Sequence, residues 1–194
     1  MGRYKFKPGN MLYPAPVVMV SCGGGNFKSN IITVAWAGTV CSDPAMVSVS
    51  IRKERYSYDI INSTGEFVIN LVTDKLVKAT DYCGVKSGRD VDKFKETGLT
   101  PLESETVSAP GIAESPVCIE CKVAFSKDLG THTMFVAEVT GVTVDDTYMD
   151  SKNRFHLEDT GLVAYSHGEY RSLGTKLGSF GYSVRKRRNS GKKK

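Results

Sequence analysis

The sequence predicts a mainly β chain, folded as a predominantly antiparallel barrel with a few short inserted helices. In the first half, short β-branched runs follow one another closely and are separated by turn signals. Two longer runs, 117–126 and 131–144, flank Lys127-Asp128-Leu129-Gly130, which reads as a hairpin turn. Helical stretches are few and short, and the chain shows no repeat, heptad or interdomain linker. Closely spaced hairpins with occasional helices suit a barrel better than a parallel α/β sheet. One domain over 1–181 is expected, followed by a basic, disordered tail over 182–194.

The first strand is Pro16 to Cys22, turned by Gly23-Gly24-Gly25-Asn26. A β-run rather than a helix follows these glycines, so they read as a hairpin turn and not as a phosphate cradle. The next strands are 31–36 and 46–51. Between them the chain reaches Trp36 and breaks into small residues before an Asp43-Pro44 turn. A short helix follows, with Ser57 as N-cap and Gly65 as its stop. Glu66 to Val72 returns to strand. Helices are expected over 74–83 and 91–97, with the polar loop 84–90 between them. After the long hairpin, Gly161 to Ser166 forms a shorter strand, and Gly174, Gly178 and Gly181 punctuate a loop-rich end.

Composition narrows the function. Of 194 residues, 40% are hydrophobic and 24% charged, ordinary for a globular protein with a sizeable core. No apolar run is long enough to span a bilayer and the N-terminus lacks a secretory segment, so a cytoplasmic location is expected and a membrane partner is not. The net charge of +5 belongs to the tail: Arg185 to Lys194 carries seven basic residues, and the rest is close to neutral. Such a tail suits nucleic acid or anionic lipid, but the body offers no nucleic-acid motif, so nucleic-acid binding is not expected.

Five cysteines without a signal peptide are expected to be reduced thiols. Cys118-Ile119-Glu120-Cys121 has the CxxC spelling, but on a strand residues three apart face opposite ways, so these sulfurs diverge. His156, Glu158 and Asp159 form a short polar cluster with no distant ligand set, and no metal site is expected. Serine-hydrolase, zinc-hydrolase and paired-carboxylate patterns are absent from the sequence. Asn70 reads as a strand-end hydrogen-bonding residue.

The stretch from Asn30 to Ser57 carries the chemistry. Small residues after Trp36 let a flat ring approach the backbone. Arg52-Lys53-Glu54-Arg55-Tyr56-Ser57 offers cations, a hydroxyl and a helix start, which suit a phosphate and equally describe a solvated turn.

The chain resembles the flavin reductase-like and flavoredoxin family, whose fold is an FMN-binding split β-barrel. The resemblance runs from about Tyr13 to Gly181. It rests on Asn30–Pro44, Ser50–Tyr58, Gly65–Asn70 and Ser87–Phe94, together with Gly130–Val139. It implies a homodimer with FMN near the interface. It further implies ring contacts from Trp36, Ala37, Gly38 and Thr39, and phosphate contacts from Lys53, Arg55 and Ser57, with Arg52 adjacent. Ser87, Gly88, Arg89 and Lys93 would approach the flavin or its ribityl-phosphate arm. His132 would stand on the nicotinamide side as the catalytic candidate. Where the family often has Gly-Asp-His, this chain has Gly130-Thr131-His132. Two activities follow: an NADH- or NADPH-dependent flavin reductase serving a redox partner or flavin-accepting enzyme, or a flavoredoxin-like electron carrier with tightly held FMN and no nicotinamide site.

Overall fold

The computed structural model describes residues 1–185. In chain order the strands and helices are β1 (Ala15–Pro16), β2 (Val18–Gly24), β3 (Phe27–Val34), β4 (Ala37–Ser42), β5 (Ala45–Arg52), α1 (Tyr56–Thr64), β6 (Glu66–Leu71), α2 (Val77–Val85) and α3 (Lys93–Thr97). They continue with β7 (Pro101–Leu102), β8 (Gly111–Ile112), β9 (Val117–Asp128), β10 (His132–Val144), β11 (Val163–Ser166) and β12 (Glu169–Ser172). Of the expected tail, Tyr182–Val184 forms a single 3-10 turn; the basic run 186–194 lies outside the described residues.

Seven strands form one antiparallel sheet in the order β3-β2-β6-β9-β10-β5-β4. Its two edge strands, β3 and β4, are consecutive in the chain and joined only by Ala35 and Trp36. Successive Cα atoms lie about 3.8 Å apart, so Val34 and Ala37 cannot be separated by more than about 11 Å. The sheet must therefore curl until its edges meet. At the meeting point the Ser50 N–H donates to the Trp36 carbonyl at 2.8 Å. Beyond it β4 no longer covers β5, and the seam opens between β3 and the end of β5. The result is a split antiparallel β-barrel.

Alternation along the strands fills the interior. Val18, Val20 and Cys22 of β2, Ile32 and Val34 of β3, Val49 and Ile51 of β5 and Phe135 of β10 share one core with Ile60 and Ile61 of α1. The opposite face of β2 and β3 is also covered. Met19 and Ile31 pack with Cys83 of α2, Phe94 of α3 and Val163 of β11. That is why β2 is buried on both faces, with Ser21 as the polar residue among its buried positions. Cys121 faces the barrel core and Cys118 a separate cluster with Val68 and Ala109, so the two thiols do diverge.

Two local expectations are corrected. The residues after Trp36 are not a break but an edge strand, β4, paired with β5 around the Asp43-Pro44 turn. Ser57 is not the N-cap of α1; Arg55 holds that position, and Ser57 lies buried in the first turn. The C-terminal stop stands as expected: Gly65 has φ 70° and its N–H donates to the Ile61 carbonyl.

Asn70 ties the sheet to its covering layer. Its Nδ2 donates to the Met19 carbonyl at 3.0 Å and to Ser21 Oγ at 2.9 Å, and its Oδ1 accepts from Ile112 N–H at 2.8 Å. All of this is buried. Asn70→Ala strands these partners without water, at a cost of about 2–4 kcal/mol. Urea denaturation checks this; a loss below about 0.5 kcal/mol would contradict the assignment.

Candidate functional site

Three connected concavities follow the open seam. The first, about 300 Å³, lies where β3, the start of α1, the loop after α2 and the start of α3 converge. Arg55 and Ser57 line it from α1, Lys86, Ser87 and Gly88 from the loop, Asn30 from β3, and Lys93 from α3. The first-turn N–H groups of a helix have no partner within it, so the start of α1 adds positive potential to this wall. Buried Asn30 donates from Nδ2 to Ser57 Oγ at 2.8 Å. The Ser57 hydroxyl thus has an occupied lone pair and a proton left to give. Gly88 is required here, because a Cβ at that position would stand 2.1 Å from Asn30 Oδ1. Lys93 forms the floor, its Nζ donating to the Ile31 carbonyl at 2.6 Å and the Cys83 carbonyl at 2.7 Å. Burial pushes its pKa down to about 8.

The second concavity, about 470 Å³, is the seam itself, with Ile32 and Val34 on one lip and Ser50 and Arg52 on the other. It shares Ile32 and Arg55 with the first. It shares Trp36, Ser50 and His132 with the third, a wide cleft of about 990 Å³. Ala37, Gly38 and Thr39 line that cleft together with Leu129 and Thr131 of the β9–β10 tip and the arm from Gly9 to Leu12. Trp36 is half-buried and packs near Tyr13, with ring centroids 6.3 Å apart. A Cβ at Gly38 would meet nothing within 4 Å, so the space above it is open. His132 Nδ1 is hydrogen-bonded to Thr131 Oγ1 at 2.9 Å, so the ring keeps Nε2 for other partners.

A compact cationic pocket therefore leads through a narrow seam to a broad cleft flanked by an indole. Four residues of extended chain, about 13 Å, separate Ile32 from Trp36. A flat ring on a short polar arm ending in phosphate fits this donor set and its order. A family profile described as "Flavin reductase like domain" matches residues 10–174. The chain belongs to the flavin reductase-like family. It is similar to flavoredoxin of Desulfovibrio vulgaris (Miyazaki F), with 31% identity and a TM-score of 0.87 over 95% of this chain and 100% of that one. Flavoredoxin from Methanosarcina acetivorans matches with 26% identity and a TM-score of 0.83 over 94% and 100%. A protein of unassigned function from Archaeoglobus fulgidus is 33% identical over 141 residues, 73% of this chain and 78% of its own length.

In this flavin reductase-like protein the residues expected at the phosphate end divide into two groups. Arg55, Ser57, Ser87, Gly88 and Lys93 come together in the small pocket. Lys53 does not: its ammonium pairs with Asp128 at the end of β9, and that pairing holds the Asp128 carboxyl below its usual range. Arg52 pairs with Glu54 at 2.7 Å and lines the seam. Arg89 braces the rim from outside, bonded to Asp59 at 2.7 Å and the Glu54 carbonyl at 3.0 Å, with its guanidinium over the Tyr56 ring. Trp36, Ala37, Gly38, Thr39 and His132 gather at the wide cleft. Sequence reasoning assigned no role to Asn30 or Lys86. Asn30 entered the sequence reading only as the first residue of the stretch that carries the chemistry. His156 bonds Asp150 at 3.1 Å in a separate loop, and among the described residues no His/Cys/Asp/Glu group is placed to hold a metal.

The contrast between two glycines tests the pocket's packing. Gly88→Ala must displace the loop or the Asn30 amide and should destabilise the fold by about 1–3 kcal/mol. Gly38→Ala, facing open space, should change stability by less than about 0.5 kcal/mol. Equal effects in urea denaturation would contradict this geometry.

Proposed function

We propose that this protein is an FMN-binding oxidoreductase that accepts a hydride from NADH or NADPH. The observation that carries the reading is the cationic pocket at the start of α1, continuous with an indole-flanked cleft across the seam. Arg55 donates to phosphate oxygens, joined by the Ser57 and Ser87 hydroxyls and the first-turn N–H groups of α1. Asn30 keeps the Ser57 proton directed at the ligand. Ile32, Ser50 and Arg52 flank the polar arm, and Trp36 to Thr39 border the ring. The flavin, when bound, supplies the electron-transfer chemistry, and the protein orients it. The arm from Gly9 to Leu12 walls one side of the cleft. His132, steadied by Thr131, presents Nε2 at the mouth, where it can hydrogen-bond an entering nicotinamide.

The same reading makes the active unit a homodimer. Met11, Leu12, Val40 and Leu129 stand exposed around the cleft mouth, and a second copy would cover them. The acceptor would then be a redox partner or a flavin-using enzyme.

A second reading, a flavoredoxin-like carrier with tightly held FMN and no nicotinamide site, is favoured by Thr131. This residue puts a hydroxyl where the family often has a carboxylate beside the histidine. Anaerobic titration of the FMN-loaded protein with NADH and with NADPH, followed at the flavin absorbance, separates the two. Bleaching by either nucleotide, in a particle that sediments as a pair of chains, is the expected result. Bleaching only by a reduced redox protein would give the carrier reading instead.

A further inference from the structure

The small sheet β1-β11-β12 lies beside the barrel, and its register lines up a row of aromatic rings. Tyr165 of β11 stands opposite Ala15 of β1 and opposite Tyr170 of β12. Tyr13, two residues before Ala15, links this sheet to Trp36. Ring centroids lie 6.3 Å apart from Trp36 to Tyr13, 6.2 Å from Tyr13 to Tyr165 and 6.0 Å from Tyr165 to Tyr170. Each step is within the range of direct ring contact. The row starts at the wide cleft, where Trp36 is part of the lining, and ends at Asp81, an exposed residue of α2. There the Tyr170 hydroxyl donates to Asp81 Oδ1 at 3.1 Å. Packing accounts for the far half of the row, since Tyr165 and Tyr170 rest on the core shared by α2 and α3. It does not account for the near half: among the described residues, Tyr13 and Trp36 join none of the buried clusters.

The geometry points to a further redox function: the row Trp36, Tyr13, Tyr165, Tyr170 carries one-electron oxidising equivalents out of the cleft to the surface at Asp81. This goes beyond the FMN reading and does not depend on it. The oxidant is an oxygen- or nitrogen-centred radical that reaches the cleft. It takes one electron from the Trp36 indole and leaves as its anion, while the indole gives its N–H proton to water. One electron then passes from Tyr13 to Trp36, from Tyr165 to Tyr13 and from Tyr170 to Tyr165. Each refilled ring regains its proton, and the Tyr170 hydroxyl proton passes to the Asp81 carboxylate. Burial and the bond to Asp81 keep this phenol protonated, with its pKa pushed up to about 12, so its oxidation at neutral pH releases a proton. Asp81 is placed to receive it, and that gives the row its direction. A small-molecule thiolate in solution restores the phenol: it gives one electron and becomes a thiyl radical, and Asp81 returns the proton.

Pulse radiolysis of the full chain at neutral pH, with azide as the radical source and no flavin added, tests this. The azide radical oxidises indole in preference to phenol, and the single tryptophan fixes where the charge starts. Indolyl and phenoxyl radicals absorb in separate bands, so both ends of the row are followed at once. The expected result is first-order loss of the indolyl band, matched by growth of the phenoxyl band, at a rate independent of protein concentration. Tyr13→Phe keeps a ring in place but removes the first relay, and it should lose this phase. Asp81→Asn and Tyr170→Phe should each lower the final phenoxyl yield, because the proton loses its acceptor or the row its end. Tyr4→Phe, off the row, should change nothing. An indolyl band that decays only by second-order encounters would overturn the inference, and this outcome is read on the unaltered protein. A first-order phase that survives in Tyr13→Phe, or phenoxyl yields unmoved by the other two substitutions, would overturn it as well. With no flavin present, each of these failures leaves the FMN reading intact.

Discussion

Two residues, Ala35 and Trp36, join the outermost strands of a seven-stranded sheet, and the rest of the molecule is arranged around that short connection. With so little chain between β3 and β4 the sheet has to close, and with β4 leaving β5 at Ser50 it cannot close completely. The gap that remains is lined by both strand ends. It brings Asn30 and Ile32 opposite Arg52 and Arg55, residues twenty or more positions apart in the chain. It also leaves Trp36 at the junction of the narrow seam and the broad cleft. The site is a consequence of incomplete closure rather than an addition to a finished barrel.

The two ends of the groove are stabilised differently. The wide cleft is bordered by an edge strand, a hairpin tip and an N-terminal arm, all substantially exposed. The small pocket is built on buried groups that contact one another: Asn30 on Ser57, Gly88 against Asn30, and Lys93 on two carbonyls. A phosphate gains most from donors held in place before it arrives, whereas a cleft that receives exchanging partners can be looser. The pocket holds a buried lysine near an arginine with only neutral carbonyls as its hydrogen-bond partners, a local conflict that commonly marks a functional site.

Much of this was legible in the sequence, and the exceptions have specific causes. The β-branched runs, the Lys127–Gly130 hairpin and the Gly65 stop are local signals, and local signals survive into the fold. The diverging Cys118 and Cys121 follow from strand alternation alone. β4 was hidden because Ala37-Gly38-Thr39 has weak strand preference; it forms because β5 presents an edge to it. Ser57 looked like a cap because its residue type and position allow it, but its hydroxyl is committed to Asn30, 27 positions away. Lys53 matched a phosphate-binding pattern by spacing, yet it leaves the strand end toward Asp128. The burial of Lys93 is a tertiary property that no single-residue pattern records. Family resemblance brought most of the pocket residues together; it could not tell which touch the ligand and which hold its neighbours.

Trp36 is the single tryptophan of the chain, so its emission reports on one place only. Titrating FMN into the protein while following that emission tests most directly whether the seam holds the flavin ring. Quenching of nearly all Trp36 emission, saturating at one FMN per chain on the same curve as the flavin's own fluorescence change, is the predicted result. FMN that binds while Trp36 emission stays unchanged would place the ring elsewhere and contradict the account.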